Sequence, residues 1–149
     1  VSAPDENGYC SLGTSVDSTR SAVQHSDVIV AIANKQMPRT FGDSVIHSSH
    51  IDYMVEADYQ VHLRKMPEIG EKERKIAKIV ADNLVADGST LQMGIGAVPD
   101  ACLAALNSHK DLGIHSEMFS DGILELVEKN AITNRFKVTH PGRLSVSFV

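Results

Sequence analysis

The stretch from residue 91 to residue 122 carries the residue types best suited to chemistry. Gly94, Ile95 and Gly96 form a glycine loop within it, and the carboxylate of Glu117 follows further along the chain. A glycine loop can direct several backbone N–H groups at one ligand, and at a helix N-terminus it can hold a phosphate. One carboxylate and one donor-rich loop are therefore the candidates for a binding or catalytic site.

The pattern around these residues predicts a β-loop-α-β unit that brings them to one edge of a sheet. A short apolar run ends at the glycine loop, and Pro99 is typical of the first turn of a helix. Apolar residues then recur at helical spacing, namely Cys102, Leu103 and Leu106. A second apolar run, residues 112–115, predicts a parallel strand that ends just before Glu117. Ligands bind outside the carboxyl ends of parallel strands, where both features are predicted to lie.

The same residues admit other interpretations. Residues 94–99 resemble a dinucleotide fingerprint, and Glu117 lies near the position of its ribose-binding acid. The sixth position of that fingerprint is glycine or alanine, whereas here it is Pro99, which argues against nicotinamide binding. The glycines can also form a plain tight turn, with Glu117 as a solvent-facing acid. His115 alternates with Glu117 along an extended segment, and we expect it to pack in the core or beside the site.

Composition and charge narrow the class of protein. The 149 residues carry a net charge of -5 with scattered lysines, which argues against a nucleic-acid partner. No apolar run approaches the roughly 20 residues of a membrane span, so no membrane partner is expected. Cys10 and Cys102 show no pairing pattern and are expected to be free thiols in a reducing compartment, the cytoplasm or the mitochondrion. The absence of an initiator Met and the apolar run at the end predict a piece of a longer protein.

The remaining segments predict further helices and strands. Residues 1–13 are rich in turn-forming residues and predict an irregular loop, and a short helix with Ala22 and Val23 as its apolar face ends near His25. The apolar run 27–33 predicts a strand covered on both faces, and residues 34–53 predict a loop with a short extended piece. Residues 59–70 have the composition of a linker between domains.

Two more helices and a final strand are predicted in the second half of the chain. Residues 71–87 predict a regular helix that Gly88 ends, and its apolar stripe is Ile76, Ile79, Val80, Leu84 and Val85. Residues 123–129 predict a helix with Leu124 and Val127 facing inward, and Leu126 as a further candidate. A loop over residues 134–142 then leads to a strand over residues 144–149.

Outside the glycine loop, the sequence shows no pattern typical of a metal site or a phosphate site. His47, His50 and Asp52 lie close in sequence, but their spacing matches no zinc template, so no metal site is expected. Arg39 and Asp43 are expected to pair with each other or to hold a loop, because no cluster of positive charge accompanies Arg39.

Four short motifs lie in order along the chain: VSAPD at residues 1–5, MPRTFGD at 37–43, GIGAVPD at 94–100 and HSEMFSDG at 115–122. Together they resemble the acetyl-CoA hydrolase and acyl-CoA:carboxylate CoA-transferase family, especially its 4-hydroxybutyrate CoA-transferases. The resemblance covers essentially the whole chain. It implies α/β domains of the glucosamine-phosphate-isomerase and CoA-transferase type (NagB/RpiA-like), with three layers around a parallel sheet. Residues 1–66 would end the first domain and its linker, and residues 67–149 would begin the second.

The resemblance implies that Glu117 is a covalent nucleophile and that Gly94, Ile95 and Gly96 line the acyl-CoA site. CoA would pass from an acyl-CoA such as acetyl-CoA to a short-chain carboxylate, such as acetate or 4-hydroxybutyrate, through a glutamyl-CoA thioester. Water at a covalent intermediate would make the same site an acyl-CoA hydrolase. CoA is then a substrate, no separate cofactor is expected, and the full-length enzyme is expected to be a homodimer.

The resemblance also implies a further motif downstream of the residues already named. A glycine-rich motif that completes the family's site has no counterpart before Val149, so the isolated chain is expected to be inactive. An α/β module that binds a nucleotide or a sugar phosphate without covalent chemistry is the alternative function.

Overall fold

The structure is a computed structural model that describes residues 1–65 and 67–149. The chain divides into two compact units, residues 1–64 with Phe148 and residues 65–147 with Val149. Each unit combines helices with a small parallel sheet, which confirms the α/β class. The predicted boundary at Met66 falls on a residue outside the described part of the chain. The three-layer domain type and the assignment of the chain to two family domains stay predictions.

The first unit contains one α-helix, two short 3-10 helices (Gly42–Ser44 and Ser48–His50) and two strand pairs. Its elements are β1 (Tyr9–Ser11), α1 (Thr19–His25), β2 (Val30–Asn34), β3 (Val45–His47) and β4 (Tyr53–Ala57). Strand β1 pairs antiparallel with β3, and β2 pairs parallel with β4. The predicted helix and the extended piece after the loop are confirmed. The prediction of an irregular loop over residues 1–13 is wrong in part, because β1 forms there.

The carboxylate of Asp5 fixes the turn before β1. Its Oδ1 accepts hydrogen bonds from the backbone N–H groups of Asn7 and Tyr9 at 3.0 and 2.8 Å. Its Oδ2 pairs with the guanidinium of Arg39 at 2.7 Å, and Arg39 also donates to the carbonyl oxygen of Tyr9. Arg39 therefore holds a loop, and its carboxylate partner is Asp5 rather than Asp43.

The sheet of the first unit is covered on one face within the described chain. On β2, Ala31 and Ala33 are buried, whereas Val30 and Ile32 are exposed. The prediction of a strand covered on both faces is therefore wrong for this structure. The core of the unit lies instead around Cys10, Leu12 and Ile46, with Val23 of α1 packed against it and Ala22 exposed.

The second unit contains the predicted β-loop-α-β arrangement. Its elements are α2 (Glu71–Leu84), β5 (Thr90–Leu91), α3 (Ala97–Ala105), β6 (Gly113–Ile114) and α4 (Gly122–Glu128). Strand β5 pairs parallel with β6, and α3 connects them. Isolated parallel bridges join Leu112 to Ile132 and His115 to Ser145, so later residues extend the sheet beyond β6. The predicted final strand is represented by residues 145–147, which hydrogen-bond to the chain after β6.

Helix α2 packs mainly through its alanines, and of the predicted apolar stripe only Val80 and Val85 are partly buried. Ala77 and Ala81 are buried, while Ile76, Ile79 and Leu84 are exposed. Because α2 packs against α3, small side chains on that face let the two helices approach closely. The opposite face carries the ion pairs Lys75–Glu71 and Lys78–Asp82 at helical spacing. The helix ends at Leu84, several residues before Gly88.

Helix α4 buries Leu126, the further candidate, but not the two residues first predicted to face inward. Ile123 and Leu126 are buried, whereas Leu124 and Val127 are exposed. The buried pair joins the core of the second unit, which is formed by residues from α2, α3, β6 and α4. Gly122 lies against Leu103, so the first turn of α4 approaches the core closely and Ile123 is buried there.

Strand β6 contains a glycine where a buried lysine crosses it. A Cβ at Gly113 would lie 2.6 Å from Cγ of Lys137 and 3.1 Å from Oγ1 of Thr90. Lys137 is 4% exposed, and its ammonium nitrogen is held at the far end of its stem. The stem therefore has little freedom to move away from an added methyl group.

We expect Gly113→Ala to lower the free energy of unfolding of the full-length protein by about 1 to 3 kcal/mol, the typical cost of overpacking. Chemical denaturation measures this change. Gly70→Ala is the matched control, because its Cβ would meet only the carboxylate end of Glu73, which can move. An effect at position 113 no larger than that at position 70 would contradict the packing described here.

The Asp5 turn should make stability depend on acid pH. Hydrogen bonding from the backbone of Tyr9, aided by Asn7 and Arg39, holds the pKa of Asp5 below its ordinary value of 3.8. A lowered carboxyl pKa contributes stability that is present above the unfolded-state pKa and lost as pH falls through the folded-state pKa. Asp5→Asn should therefore lower the denaturation midpoint at pH 7, and the difference from the natural protein should shrink below pH 3.8. A difference that stays constant on acidification would refute this.

Candidate active site

Glu117 follows the end of β6, where the strand pattern predicted it. His115 and Glu117 are exposed, and Ser116 between them is buried, so the first two lie on one face of the extended segment. Of the two alternatives for His115, packing in the core is wrong, because that face points to solvent, and a place beside the site stays a prediction. Glu117 thus has an accessible carboxylate at the carboxyl end of a parallel strand, which is where ligands of such sheets bind.

The glycine loop leads directly into α3. Gly96 has φ of +128°, a conformation that residues with side chains rarely adopt, and its carbonyl oxygen accepts a hydrogen bond from Asp100 N–H at 3.2 Å. Ile95 is exposed, and a Cβ at Gly94 would touch Pro99 at 3.3 Å. The first N–H groups of a helix have no partner within it. The loop and the first turn of α3 can therefore offer backbone donors to a ligand.

The hydroxyl of Ser116 links the segment before Glu117 to the segment before the glycine loop. Ser116 Oγ accepts a hydrogen bond from Met93 N–H at 2.9 Å and lies 3.3 Å from the Met93 carbonyl oxygen. Alongside it, His115 N–H donates to the Leu91 carbonyl oxygen at 3.0 Å. The residues flanking the two candidate features are therefore joined by hydrogen bonds within one sheet.

A second polar contact holds the chain on the other side of Glu117. Ser120 Oγ donates to the carboxylate of Asp100 at 2.8 Å, and both side chains are buried. Asp100 lies in the first turn of α3, directly after the glycine loop. The loop that follows Glu117 is thus tied to the helix that follows Gly96.

The backbone of Glu117 is itself held by Ser147. The carbonyl oxygen of Glu117 accepts hydrogen bonds from Ser147 N–H at 2.8 Å and from Ser147 Oγ at 2.7 Å. One residue earlier, Ser116 N–H donates to the Ser145 carbonyl oxygen at 2.9 Å. The main chain at Glu117 is fixed on several sides, while its side chain remains exposed.

Sequence reasoning identified Glu117 and the glycine loop but not the residues that fix them. Asp100, Ser116 and Ser120 lie inside two of the family-like motifs, so the motifs themselves carried a signal that could have found them. Ser147 lies outside those motifs, and only the strand contact at Glu117 reveals its part.

The other polar candidates have structural roles. The ring nitrogens of His47 contact the Ser49 hydroxyl and the Asn7 carbonyl oxygen, and Asp52 accepts a hydrogen bond from Ile29 N–H. Among residues 1–65 and 67–149, no three His, Cys, Asp or Glu side chains are grouped as a metal ion would require.

The two cysteines are free, as predicted from the sequence. Burial raises the pKa of both thiols, Cys10 and Cys102, so neither is activated as a nucleophile. None of the helices in the described part of the chain is long and apolar enough to cross a membrane.

Comparison with known proteins shows that the chain is similar to CoA-transferases over its whole length. Residues 1–63 match the acetyl-CoA hydrolase/transferase N-terminal domain. Over all 149 residues the chain is 50% identical to a 4-hydroxybutyrate coenzyme A transferase of Clostridium kluyveri, of which it covers 34%. It is also 50% identical, over all 149 residues, to a succinyl-CoA:acetate/propanoyl-CoA:succinate CoA transferase of Fasciola hepatica. The chain covers 31% of that relative.

A solved structure is similar in fold. The crystal structure of a 4-hydroxybutyrate CoA-transferase from Porphyromonas gingivalis superposes with a TM-score of 0.91 at 44% identity, covering 99% of this chain and 38% of that one. These matches confirm the resemblance to the acetyl-CoA hydrolase and CoA-transferase family. The chain spans about a third of the length of the curated relatives it matches.

We expect Ser116→Ala to destabilise the second unit, because the buried N–H of Met93 would lose its acceptor. An unsatisfied buried donor costs about 1 to 3 kcal/mol. The free energy of unfolding of the full-length protein measures this cost, with Ser26→Ala as the control because the Ser26 hydroxyl bonds to Ala22 at the surface. Equal stability of the two variants would show that Ser116 does not hold this segment.

Proposed function

We propose that the protein carrying this chain is a CoA-transferase that moves CoA between an acyl-CoA and a short-chain carboxylate, with Glu117 as its nucleophile. The observation that supports this most directly is an exposed carboxylate on a rigidly held backbone at the carboxyl end of β6. A fixed backbone favours attack on a bound substrate, because that part of the conformational freedom is already lost. The family-like arrangement of two α/β domains with three layers is part of the same proposal.

The carboxylate can carry the reaction without a proton acceptor. A Glu117 oxygen attacks the thioester carbonyl carbon, the carbon–sulfur bond breaks, and an acyl-glutamyl anhydride forms with release of CoA thiolate. The thiolate then attacks the glutamyl carbonyl carbon, which frees the first carboxylate and leaves a glutamyl-CoA thioester. A second carboxylate takes the CoA by the same two steps in reverse, which restores Glu117.

The glycine loop has a separate part in this proposal. Each attack places negative charge on a carbonyl oxygen, and backbone N–H groups of Gly94, Ile95 and Gly96 would stabilise it. Loss of a single donor of this kind typically costs about 2.7 to 4 kcal/mol of transition-state stabilisation. The open space around Gly96, where an added Cβ would meet no atom within 4 Å, leaves room for a substrate group.

An acyl-CoA hydrolase is the second candidate function. It uses the same residues, and the matched domain is described as a hydrolase/transferase domain. The outcome depends on whether water or a carboxylate reaches the covalent intermediate, and that depends on how well the closed site excludes water. A module that binds a nucleotide or sugar phosphate without covalent chemistry is the third candidate, supported only by the glycine loop before α3.

The choice of acids to test follows from the relatives. They are named for 4-hydroxybutyrate and for succinate, acetate and propanoyl-CoA. We therefore propose acetyl-CoA as the CoA donor and acetate, 4-hydroxybutyrate and succinate as the acceptors to compare first.

Exchange of isotope-labelled carboxylate into acyl-CoA by the full-length protein tests the proposal. Glu117→Gln should abolish exchange, since an amide oxygen is a poor nucleophile, while the fold stays intact. Glu128→Gln is the control, because Glu128 is an exposed glutamate on α4. Mass spectrometry after incubation with acyl-CoA should find CoA attached to the peptide that contains Glu117.

The three candidate functions give different results. Exchange by the Glu117→Gln variant at the natural rate would eliminate the nucleophile. Release of free CoA without exchange would identify a hydrolase. Saturable binding of a nucleotide, with neither exchange nor an adduct, would identify the binding module.

A further inference from the structure

The segment that pairs with β6 and its flanking residues through isolated bridges is interrupted near Glu117, the candidate nucleophile. Ile132 is paired with Leu112, and Ser145 is paired with His115. This segment of the same polypeptide therefore leaves the sheet after Ile132 and returns at Ser145. Between these two bridges, Ile114 of β6 lacks a regular strand beside it. Its backbone N–H and C=O groups are buried and need hydrogen-bond partners from elsewhere.

Two side chains from residues 133–144, the segment between the two bridges, supply those partners. The carboxamide Oδ1 of Asn134 accepts a hydrogen bond from Ile114 N–H at 2.8 Å. The ammonium of Lys137 donates to the Ile114 carbonyl oxygen at 2.7 Å, beside a longer bond of 3.2 Å from Ser145 N–H. Side chains thus take the place of the missing strand at this residue.

Lys137 uses its remaining donors to hold the returning chain. Its Nζ also donates to the Arg143 carbonyl oxygen at 2.6 Å and to Ser145 Oγ at 3.2 Å. An ammonium has three donors, and all three are used here. Burial lowers the pKa of Lys137, but three acceptors around Nζ favour its charged form. Gly113 leaves the space through which the stem passes.

The returning chain holds the backbone at the candidate nucleophile. Ser145 accepts from Ser116 N–H, and Ser147 donates twice to the Glu117 carbonyl oxygen. The contacts therefore run without interruption from the Lys137 ammonium, through residues 143–147, to Glu117.

We propose that Lys137 is a positioning residue for Glu117, because its ammonium sets the register of residues 143–147 beside the strand that carries the nucleophile. The inference rests on the proposed function for its catalytic consequence. Its structural part, the hold of Lys137 on residues 143–147, can be measured whether or not Glu117 reacts.

The test compares Lys137→Met with Lys129→Met in the full-length protein. Methionine keeps most of the stem and removes the donors, and Lys129 is an exposed lysine on the same unit whose partners are Glu125 and Asn107. Near-ultraviolet circular dichroism establishes that each variant is folded. Hydrogen exchange at Ser116 and Ser147 then reports the register, and kcat, KM and the rate of Glu117–CoA formation report the chemistry.

In the Lys137→Met variant we expect the amide hydrogens of Ser116 and Ser147 to exchange with solvent at least tenfold faster than in the natural protein. Their hydrogen-bond partners are no longer held there. Its kcat and its rate of adduct formation should fall about 100-fold, the order of loss that a 1 Å displacement can cause, with KM changed far less. Lys129→Met should match the natural protein in every measurement. A merely structural lysine would change the denaturation midpoint without this separation of kcat from KM.

The remaining outcomes distinguish failure of the positioning role of Lys137 from failure of Glu117 as the nucleophile. A folded Lys137→Met protein with natural amide exchange, or with a natural kcat, overturns the positioning role. Absence of an adduct in the natural protein overturns the nucleophile instead, and amide exchange still decides the hold of Lys137. Should Lys137→Met fail to fold, Ser145→Ala takes its place. It removes one acceptor of the ammonium, and unchanged exchange at Ser116 together with unchanged kcat would overturn the inference.

Discussion

The second unit depends on the hydrogen bonding of a very short strand. Strand β6 is buried at Gly113 and Ile114, where backbone groups without partners would each cost free energy comparable to a lost hydrogen bond. On one side β5 and Ser89 just before it supply partners, and on the other side Ser145 and the buried side chains of Asn134 and Lys137 do so. Glu117 follows this strand, so its backbone position is a consequence of how β6 is satisfied.

The sequence predicted those parts of the fold that depend on local pattern. Pro99 and the apolar spacing after it predicted α3, and the run 112–115 predicted the strand before Glu117. The inward faces of α2 and α4 were predicted only in part, because periodicity marks apolar residues but does not say which of them a neighbour covers. Ala77 and Ala81 are weakly apolar, yet they permit the close packing of α2 on α3 that leaves Ile79 exposed.

The residues of the candidate site could be predicted from the sequence, whereas some of the residues that hold them in place could not. An exposed Glu117 at a strand end follows from alternation with the buried Ser116, and both lie in a motif that also contains Ser120. Residue spacing alone left dinucleotide binding open, and the resemblance of the motifs favoured CoA transfer. Asn134 and Lys137 could not have been found from pattern, since they belong to a loop in sequence and replace strand hydrogen bonds only in the folded chain.

The use of a lysine at this place has a physical reason. A buried cation is costly unless its donors are satisfied, so an apolar side chain would fill the same space at a lower desolvation cost. An apolar residue, however, could not join the carbonyl oxygens of Ile114 and Arg143 with a hydroxyl at Ser145. A single ammonium on a flexible stem can reach all three from one direction, and it thereby ties residues 143–145 to Ile114 of β6. Gly113 is the complementary requirement, because any larger residue would occupy the path of the stem.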